Sequence, residues 1–149
     1  MSELAVHVFR LNGLLTAAGD EMAEPAGQST ARWRVLAAIE DQPLTVAQVA
    51  RAWRLARQSV QRVADLLVDD GLAAYEDNPS HRRAKLLRIT PPGSTALGTI
   101  RQAQKIWADQ LGSEIGEADL RSVNEHLRAV IEVLERHASE RSESEGAEA

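Results

Sequence analysis

The sequence predicts a mainly α protein with a small β-hairpin wing: a winged helix-turn-helix lobe in the middle of the chain and a helical lobe made from its two ends. Apolar residues repeat at helical spacing near both ends. Between them lie two short helical segments separated by a few turn residues, followed by two strand-like runs around a cluster of turn formers. Hydrophobic residues make up 44% and aromatic residues only 3% of the chain, which favours a helical core of Leu, Val, Ile and Ala.

Composition bounds the domain count and excludes several kinds of site. With 149 residues, the chain is expected to form one domain with a sizeable core. It contains no cysteine, which excludes disulfides, thiolate metal sites and thiol redox sensing. No apolar run approaches the length of a membrane span and the N-terminus lacks the apolar region of a signal peptide, so a cytoplasmic location is expected.

The net charge of −5 hides a basic middle between acidic ends. Residues 28–90 contain 10 Lys and Arg against 7 Asp and Glu, whereas residues 1–27 and 91–149 both carry an acidic excess. Such asymmetry favours a polyanionic partner for the middle segment. An excess this small is also found on ordinary surfaces, so charge alone does not decide the question.

The two ends of the chain carry long helical patterns. Near the N-terminus a heptad stripe predicts a helix, with Leu4, Val8, Leu11, Leu15, Ala18 and Met22 on one face. Near the C-terminus the spacing recurs in Leu120, Val123, Leu127, Val130 or Ile131, and Leu134. These helices either pack together or pack against a second copy of the chain.

Another helix is expected to follow the segment "TPPG", with Thr90 as its N-cap and Pro91 in its first turn. Its apolar face consists of Leu97, Ile100, Ala103, Trp107 and Leu111. The polar, acidic tail 142–149 is predicted to be disordered.

The middle of the chain begins with two short helices. "STARWRVLAAIEDQPL" predicts a helix that stops before Pro43. Thr45 and Gln48 then have the spacing of a capping box, so a second helix is expected to begin there and to end near Trp53.

The next segment, "RLARQSVQRVADLLVDDG", predicts a helix that ends at Gly71. Its apolar face consists of Ala56, Val60, Val63, Ala64 and Leu67. The opposite face begins with Arg, Gln and Ser, the residue types that bond base edges or phosphates. Two short helices joined by a tight turn form a helix-turn-helix, whose second helix lies in a DNA major groove.

A β-hairpin is predicted immediately after this helix. "LAAYE" and "KLLRIT" are strand-like, and "DNPSHRR" between them is dense in turn formers. A hairpin appended to a helix-turn-helix makes a winged helix. The turn carries His81, Arg82 and Arg83, and such a tip reaches phosphates or inserts an arginine into a minor groove.

The arginines at the start of the second helix are locally unfavourable. A helix N-terminus is positively polarised, so an exposed cation there costs roughly 0.3–1 kcal/mol. Ala56 also stands at the N-cap position, where Ser, Thr, Asp or Asn would help. Both defects are relieved when a phosphate docks at this end. The alternative is a solvated basic face whose arginines pair internally with Asp65, Asp69 or Asp70.

These residues resemble the winged helix of the MarR (multiple antibiotic resistance regulator) family of bacterial transcription factors. The resemblance begins at "RVLAAI", and its most specific part is "HRRAKLLRITPPG". It spans the whole chain as a single domain, 1–141. It implies a DNA-binding lobe at 28–90 and a helical dimerisation lobe at 1–27 and 91–141.

The resemblance implies a homodimer that binds a pseudo-palindromic operator in double-stranded DNA, as a repressor released by a small-molecule effector. The residues implied to contact DNA from the helix-turn-helix are Arg54, Arg57, Gln58, Ser59, Gln61 and Arg62. In the wing, Arg83 is implied to enter the minor groove and Arg82 to contact phosphate. The implied dimerisation residues are Leu4, Val8, Leu11, Leu120, Val123, Leu127, Ile131 and Leu134.

The chain departs from the family pattern in the wing and at the helix start. His81 and Asn78 stand where the family commonly has acids, which puts the usual acid–arginine brace of the wing in doubt. His81 would make the wing pH-sensitive, but an exposed loop histidine without a role is favoured. Ala56 stands where the family often has Ser.

If there is an effector, the resemblance implies a small anionic or aromatic molecule held between the two lobes. The candidate lining residues are His7, Arg10, Trp33 and Trp107. For each of them a plainer interpretation is favoured, with the tryptophans in the core and Arg10 paired with a carboxylate.

Two other functional classes compete with a DNA-binding regulator. The sequence contains no set of residues spaced to act together in catalysis. The four histidines are scattered without metal-ligand spacing, and the sequence shows no phosphate-binding loop and no Gly-rich dinucleotide turn. No enzyme activity and no cofactor are therefore predicted. The stronger alternative is a winged-helix protein-interaction module without specific DNA binding, which would not need basic residues on both the recognition helix and the wing.

Overall fold

The computed structural model describes residues 2–81 and 83–147, with side chains as far as residue 141. Contacts divide the chain into two compact units, one up to Lys105 and one from Ile106 onwards. The sequence instead suggests lobe boundaries near residues 27 and 90, and that functional division stays a prediction.

Six α-helices and three β-strands follow one another in the described part of the chain. Each predicted helix and both predicted strands are present, so the mainly α fold with a hairpin wing is confirmed. In chain order the elements are α1 (Glu3–Ala23), α2 (Thr30–Ala38), β1 (Leu44–Thr45), α3 (Val46–Ala52), α4 (Arg57–Asp69), β2 (Ala73–Glu76), β3 (Leu86–Ile89), α5 (Pro91–Ile115) and α6 (Glu117–Ala147).

The last helix is longer than the sequence suggested. The backbone of α6 stays helical to Ala147, inside the polar tail predicted to be disordered, and the final two residues lie outside the described part. Disorder of this tail in solution stays a prediction. Among the helices described, none combines the length and the apolar character needed to cross a membrane.

The wing is part of a three-stranded antiparallel sheet in the order β1-β3-β2. Tyr75 of β2 and Leu44 of β1 both lie opposite Leu87 of β3. The sequence did not predict β1. Leu44 and Thr45 carry signals for the start of a helix, and a strand of two residues has no period of its own.

The start of α3 and the end of α4 are fixed by local hydrogen bonds, as predicted. The Gln48 amide donates to the Thr45 hydroxyl at 3.2 Å, and the Thr45 amide donates to the Gln48 side-chain oxygen at 2.8 Å, which closes the capping box. At the end of α4, Gly71 adopts a left-handed φ of 72°. Its amide bonds the Val68 carbonyl and the next amide bonds Leu67, the pattern of a Schellman cap.

The hydrophobic core of the first unit lies between α2, α3, α4, the sheet and the first half of α5. Its large side chains are fully buried and come from all these elements: Leu36, Ile39, Val49, Val60, Leu67, Leu87, Leu97 and Ile100. The core therefore fixes the inner face of α4, which leaves the outer face of that helix open to solvent.

The junction of α1 with α2 rests on Thr30. The Thr30 amide donates to the Asp20 carboxylate at 2.7 Å, and its hydroxyl donates to the Thr16 carbonyl at 2.9 Å. A Cβ on Gly19 would stand 2.5 Å from that hydroxyl oxygen, so α1 approaches Thr30 as closely as glycine allows. Hydrogen bonding from Thr30 lowers the pKa of Asp20.

The segment "TPPG" joins the wing to α5 and to the end of α4. The Thr90 hydroxyl donates to the Gly71 carbonyl at 2.7 Å and accepts the Gly93 amide at 3.3 Å. The Thr90 amide donates to the Leu72 carbonyl at 3.1 Å. A Cβ on Gly93 would lie 2.1 Å from the same Leu72 oxygen, so only glycine fits there.

We expect Gly93→Ala to destabilise the protein by about 1–3 kcal/mol, because the added methyl meets a hydrogen-bonded backbone carbonyl that cannot easily move. Urea unfolding followed by circular dichroism measures this change. Gly98→Ala is the matched control in the same helix. Its Cβ would meet nothing within 4 Å, so it should stabilise α5 by roughly 0.5–1 kcal/mol. Equal unfolding midpoints for the two variants would contradict the close approach at Gly93.

We expect Asp20→Asn to lower stability at pH 7 by about 0.3–1 kcal/mol, because the carboxylate lies at the N-terminus of α2. A lowered folded pKa means that the contribution is present above 3.8, the ordinary value for Asp, and is lost as the pH falls through the folded value. The difference between wild type and variant in thermal unfolding should therefore shrink as the pH drops below 3.8. Glu21→Gln, which removes a neighbouring exposed carboxylate of α1, should show a smaller difference; an equal one would refute the role of Asp20.

Candidate nucleic-acid interface

The start of α4 lacks a capping side chain, as the sequence predicted. Arg54 adopts a left-handed φ of 52°, which is uncommon for a residue with a side chain. Ala56 is the N-cap of α4, and no side chain caps this end. The first turn of α4 thus carries Arg57 and has no capping side chain from the protein.

The outer face of α4 carries most of the side chains predicted to contact DNA. Arg57, Gln58, Ser59 and Arg62 are exposed, while Gln61 is half-buried. On the inner face Val60, Ala64 and Leu67 are buried. The amphipathic pattern predicted for this helix is therefore confirmed, although the role of its polar residues stays a prediction.

Two of the three carboxylates that the sequence offered as internal partners for these arginines bond other groups. Asp70 forms an ion pair with Arg32 of α2. Asp65 accepts hydrogen bonds from Gln61 and Tyr75. Among the ion pairs of the described side chains, none involves Arg57 or Arg62, so both cations remain available to an external anion.

Gln61, Asp65 and Tyr75 form a hydrogen-bonded cluster between α4 and β2, which we call the α4–β2 clasp. The Gln61 side-chain nitrogen is 2.7 Å from the Tyr75 hydroxyl oxygen and 2.9 Å from an Asp65 carboxylate oxygen. The Tyr75 hydroxyl donates to that same carboxylate oxygen at 2.7 Å. Burial, with the bond to Asp65, raises the pKa of Tyr75 to about 12, so the phenol stays protonated.

Sequence reasoning missed the clasp. The spacing of Gln61 and Asp65 on one helix is a weak local signal for a side-chain hydrogen bond. The approach of Tyr75 from the next element has no local signal.

A cleft of about 370 Å³ lies between α4, the start of α3 and the wing. Three of its lining residues are basic, and none is acidic: Thr45, Val46, Ala47, Arg57, Gln61, Tyr75, Arg83, Ala84 and Lys85. The structure thus brings Arg57 of the helix and Arg83 of the wing to one concave surface. Lys85 was not singled out from the sequence, although it lies only two residues after Arg83.

The wing turn is built by Asn78. Its side-chain oxygen accepts the Ser80 amide at 2.9 Å, and its carbonyl accepts the His81 amide at 3.2 Å. At the base of the wing, Glu76 and Arg88 form an ion pair at 3.2 Å. His81 and Arg83 are exposed, and Arg82 lies outside the described residues. The turn is therefore closed by the side chain of Asn78, which stands where the family commonly has an acid.

The residues predicted to line an effector site are found in both compact units. His7 and Arg10 are exposed on α1, and Trp33 is half-buried against the core of the first unit. Trp107 is half-buried in the second unit. A common site for these four residues stays a prediction. No cluster of His, Asp and Glu in the described part of the chain is arranged to hold a metal ion.

Most of the predicted dimerisation residues are exposed apolar side chains. On α1 these are Leu4, Val8 and Leu11, and on α6 they are Val123, Ile131 and Leu134. Leu120 and Leu127 are half-buried. Each terminal helix thus keeps an apolar face that its own unit does not cover.

The central part of the chain matches a known protein family. The sequence profile described as the MarR family aligns with residues 27–84, from before α2 to the wing turn. An uncharacterized protein of Mycobacterium tuberculosis is 37% identical over 134 residues, covering 90% of this chain and 94% of that relative.

Solved structures share the fold at low sequence identity. A mutant of MarR from E. coli, in complex with operator DNA, superposes with a TM-score of 0.79 at 19% identity, covering 85% of this chain and 92% of that one. CouR from Rhodococcus jostii RHA1, bound to p-coumaroyl-CoA, gives a TM-score of 0.75 at 19% identity, covering 87% and 92%.

Proposed function

The chain belongs to the MarR family of winged-helix transcription regulators, which bind DNA and are not enzymes, and from that membership we propose that it is a homodimeric repressor of a pseudo-palindromic operator. One observation carries the proposal: Arg57 of α4 and Arg83 of the wing line the same cleft, which has no acidic residue in its lining. A duplex backbone is the polyanion that a basic concave surface of this kind suits.

Helix α4 is proposed to lie in the major groove. Its exposed Arg57, Gln58, Ser59 and Arg62 are side chains that bond base edges or phosphates, and Gln61 lies beside them. The uncapped first turn would bind a phosphate through its free amides, which relieves the repulsion between the arginines and the helix dipole. Arg54, in the preceding turn, is proposed to contact the backbone nearby.

The wing is proposed to follow the DNA backbone to the adjacent minor groove. Arg83 is exposed next to the cleft and would enter that groove, where an arginine meets a concentrated negative potential. Arg82 is assigned to phosphate by sequence alone. The E. coli MarR mutant with the same fold is bound to operator DNA, which supports this arrangement by analogy.

A homodimer would cover the exposed apolar faces of the terminal helices. Soluble monomers seldom expose many large apolar side chains on one element, and α1 exposes Leu4, Val8 and Leu11. Helix α6 does the same with Val123, Ile131 and Leu134. A two-fold dimer would set its recognition helices about 34–36 Å apart, one turn of DNA.

An effector is proposed to release the operator by changing that separation. CouR, which shares the fold, was crystallised with p-coumaroyl-CoA, an aromatic and anionic molecule. A small anionic or aromatic effector near His7, Arg10, Trp33 and Trp107 is therefore proposed here. The effector can weaken DNA binding by no more than the ratio of its affinities for the two dimer conformations. A regulator of this kind works in the cytoplasm, where the DNA is.

We expect the purified protein to enrich an inverted repeat with half-sites one turn apart from a random duplex pool at about 150 mM salt. If the dimer neutralises six to ten phosphates, affinity for that repeat should fall about 10³–10⁵-fold between 50 and 200 mM salt. Fluorescence anisotropy over this range measures the slope. A flat salt response, or enrichment of a single half-site, would contradict the proposed dimer on DNA. Absence of any binding would favour the protein-interaction module.

We expect Arg57→Ala to flatten base preference at one position in each half-site, at a cost of about 1–3 kcal/mol if the arginine bonds a guanine. Arg128→Ala is the control, because it removes the same charge from an exposed position on α6. Titration of the selected operator and of single-base variants separates the outcomes. An equal loss on every sequence would assign Arg57 to a phosphate instead.

A further inference from the structure

The side-chain amide of Gln61 is held by the α4–β2 clasp. The Gln61 side-chain nitrogen lies 2.9 Å from an Asp65 carboxylate oxygen and 2.7 Å from the Tyr75 hydroxyl oxygen. An amide nitrogen carries two hydrogens, so one bond to each acceptor uses both of its donors within the protein. In the described structure no hydrogen bond is made by the amide oxygen, which is the remaining polar atom of the side chain.

The orientation of this amide follows from the chemistry of its partners. The Asp65 carboxylate can only accept, and it already accepts the Tyr75 hydroxyl at 2.7 Å. A flipped amide would direct its oxygen at the carboxylate, so that two acceptors would face each other. The phenol must keep its hydrogen for this arrangement, and its raised pKa of about 12 means that it does. The clasp thus fixes which atom of Gln61 is left for a ligand.

A free glutamine usually recognises adenine through two hydrogen bonds, donating to N7 and accepting from the N6 amine. With both of its hydrogens engaged, Gln61 cannot donate to N7. Its oxygen can accept only from an exocyclic amine, which cytosine (N4) and adenine (N6) both present in the major groove. Gln61 lines the cleft beside Arg57, on the side of α4 proposed to face DNA.

We propose that Gln61 contacts an operator base only as a hydrogen-bond acceptor, through its side-chain oxygen. Tyr75 is the positioning residue that fixes the amide in this orientation. The inference rests on the proposed function, because it requires α4 in the major groove. At one base position in each half-site, cytosine and adenine are both tolerated. Guanine and thymine are disfavoured, because they present hydrogen-bond acceptors to Gln61 in the major groove. Tyr75 affects this choice without touching a base.

Tyr75→Phe tests the proposal on the operator selected by the wild-type protein. Loss of the hydroxyl frees one hydrogen of Gln61, which can then donate to adenine N7. We expect adenine to become favoured over cytosine at that one position by about 5-fold or more, the gain of a bidentate contact. Binding is measured with duplexes that differ only at this position, at two salt concentrations.

The double variant Gln61→Ala, Tyr75→Phe is the control. If Tyr75 acts through Gln61, then Tyr75→Phe changes no base preference once Gln61 is alanine. A preference that changes equally in both backgrounds would overturn the proposal. So would an equal loss of affinity for every duplex, which would give Tyr75 a purely structural role in the wing.

The hydrogen bonds of the clasp are tested without DNA by NMR of the Gln61 side-chain amide protons. Their signals are assigned by their loss in Gln61→Ala. Both protons are expected to exchange with water more slowly than those of the exposed Gln58, and one of them should exchange faster in Tyr75→Phe. Exchange of both protons as fast as in Gln58 would overturn the inference and leave the proposed function intact. A wild-type protein that selects no operator would overturn the proposed function, and this inference with it.

Discussion

The fold of the first unit depends on one carbonyl oxygen, that of Leu72, where the end of α4, the first wing strand and the start of α5 meet. It accepts the Thr90 amide, and Gly93 lies so close to it that no side chain fits between them. The Thr90 hydroxyl bonds Gly71, the residue that ends α4. Threonine supplies the hydrogen bonds of "TPPG" and glycine the close approach, so each is needed for its own physical reason.

A wing held only at this junction could still change its angle to α4. The clasp gives a second connection, because Tyr75 lies in the middle of β2 and bonds two residues of α4. The two connections together fix the cleft between helix and wing, with Arg57 on one side and Arg83 on the other. Side chains held on fixed elements lose less entropy when they bind a ligand, which favours a preformed interface over one that must be ordered on contact.

The elements that could be predicted from the sequence are those specified by nearby residues. The capping box at Thr45 and Gln48, the glycine that ends α4 and the start of α5 all use partners a few residues apart, and the structure contains them. What could not be predicted joins residues that only the fold brings together. Strand β1 is formed by pairing with β3, and Tyr75 meets Asp65 across two elements. From the sequence alone, Gln61 is expected to be an exposed polar residue. In the structure its side-chain nitrogen instead bonds Asp65 and Tyr75.

The same pairings explain how a chain of net charge −5 can present a basic surface. Interactions between exposed charges are screened within about 10 Å. The electrostatic field at the cleft therefore depends on the side chains around it and not on the net charge of the whole chain. Asp70 is neutralised by Arg32, and Asp65 is surrounded by two donors that partly satisfy its charge. Asp70 lies at the opposite end of α4 from Arg57, while Arg57 and Arg62 remain on the outer face. The sign of the surface where DNA is proposed to bind is therefore set by the side chains around it and not by the net charge of the chain.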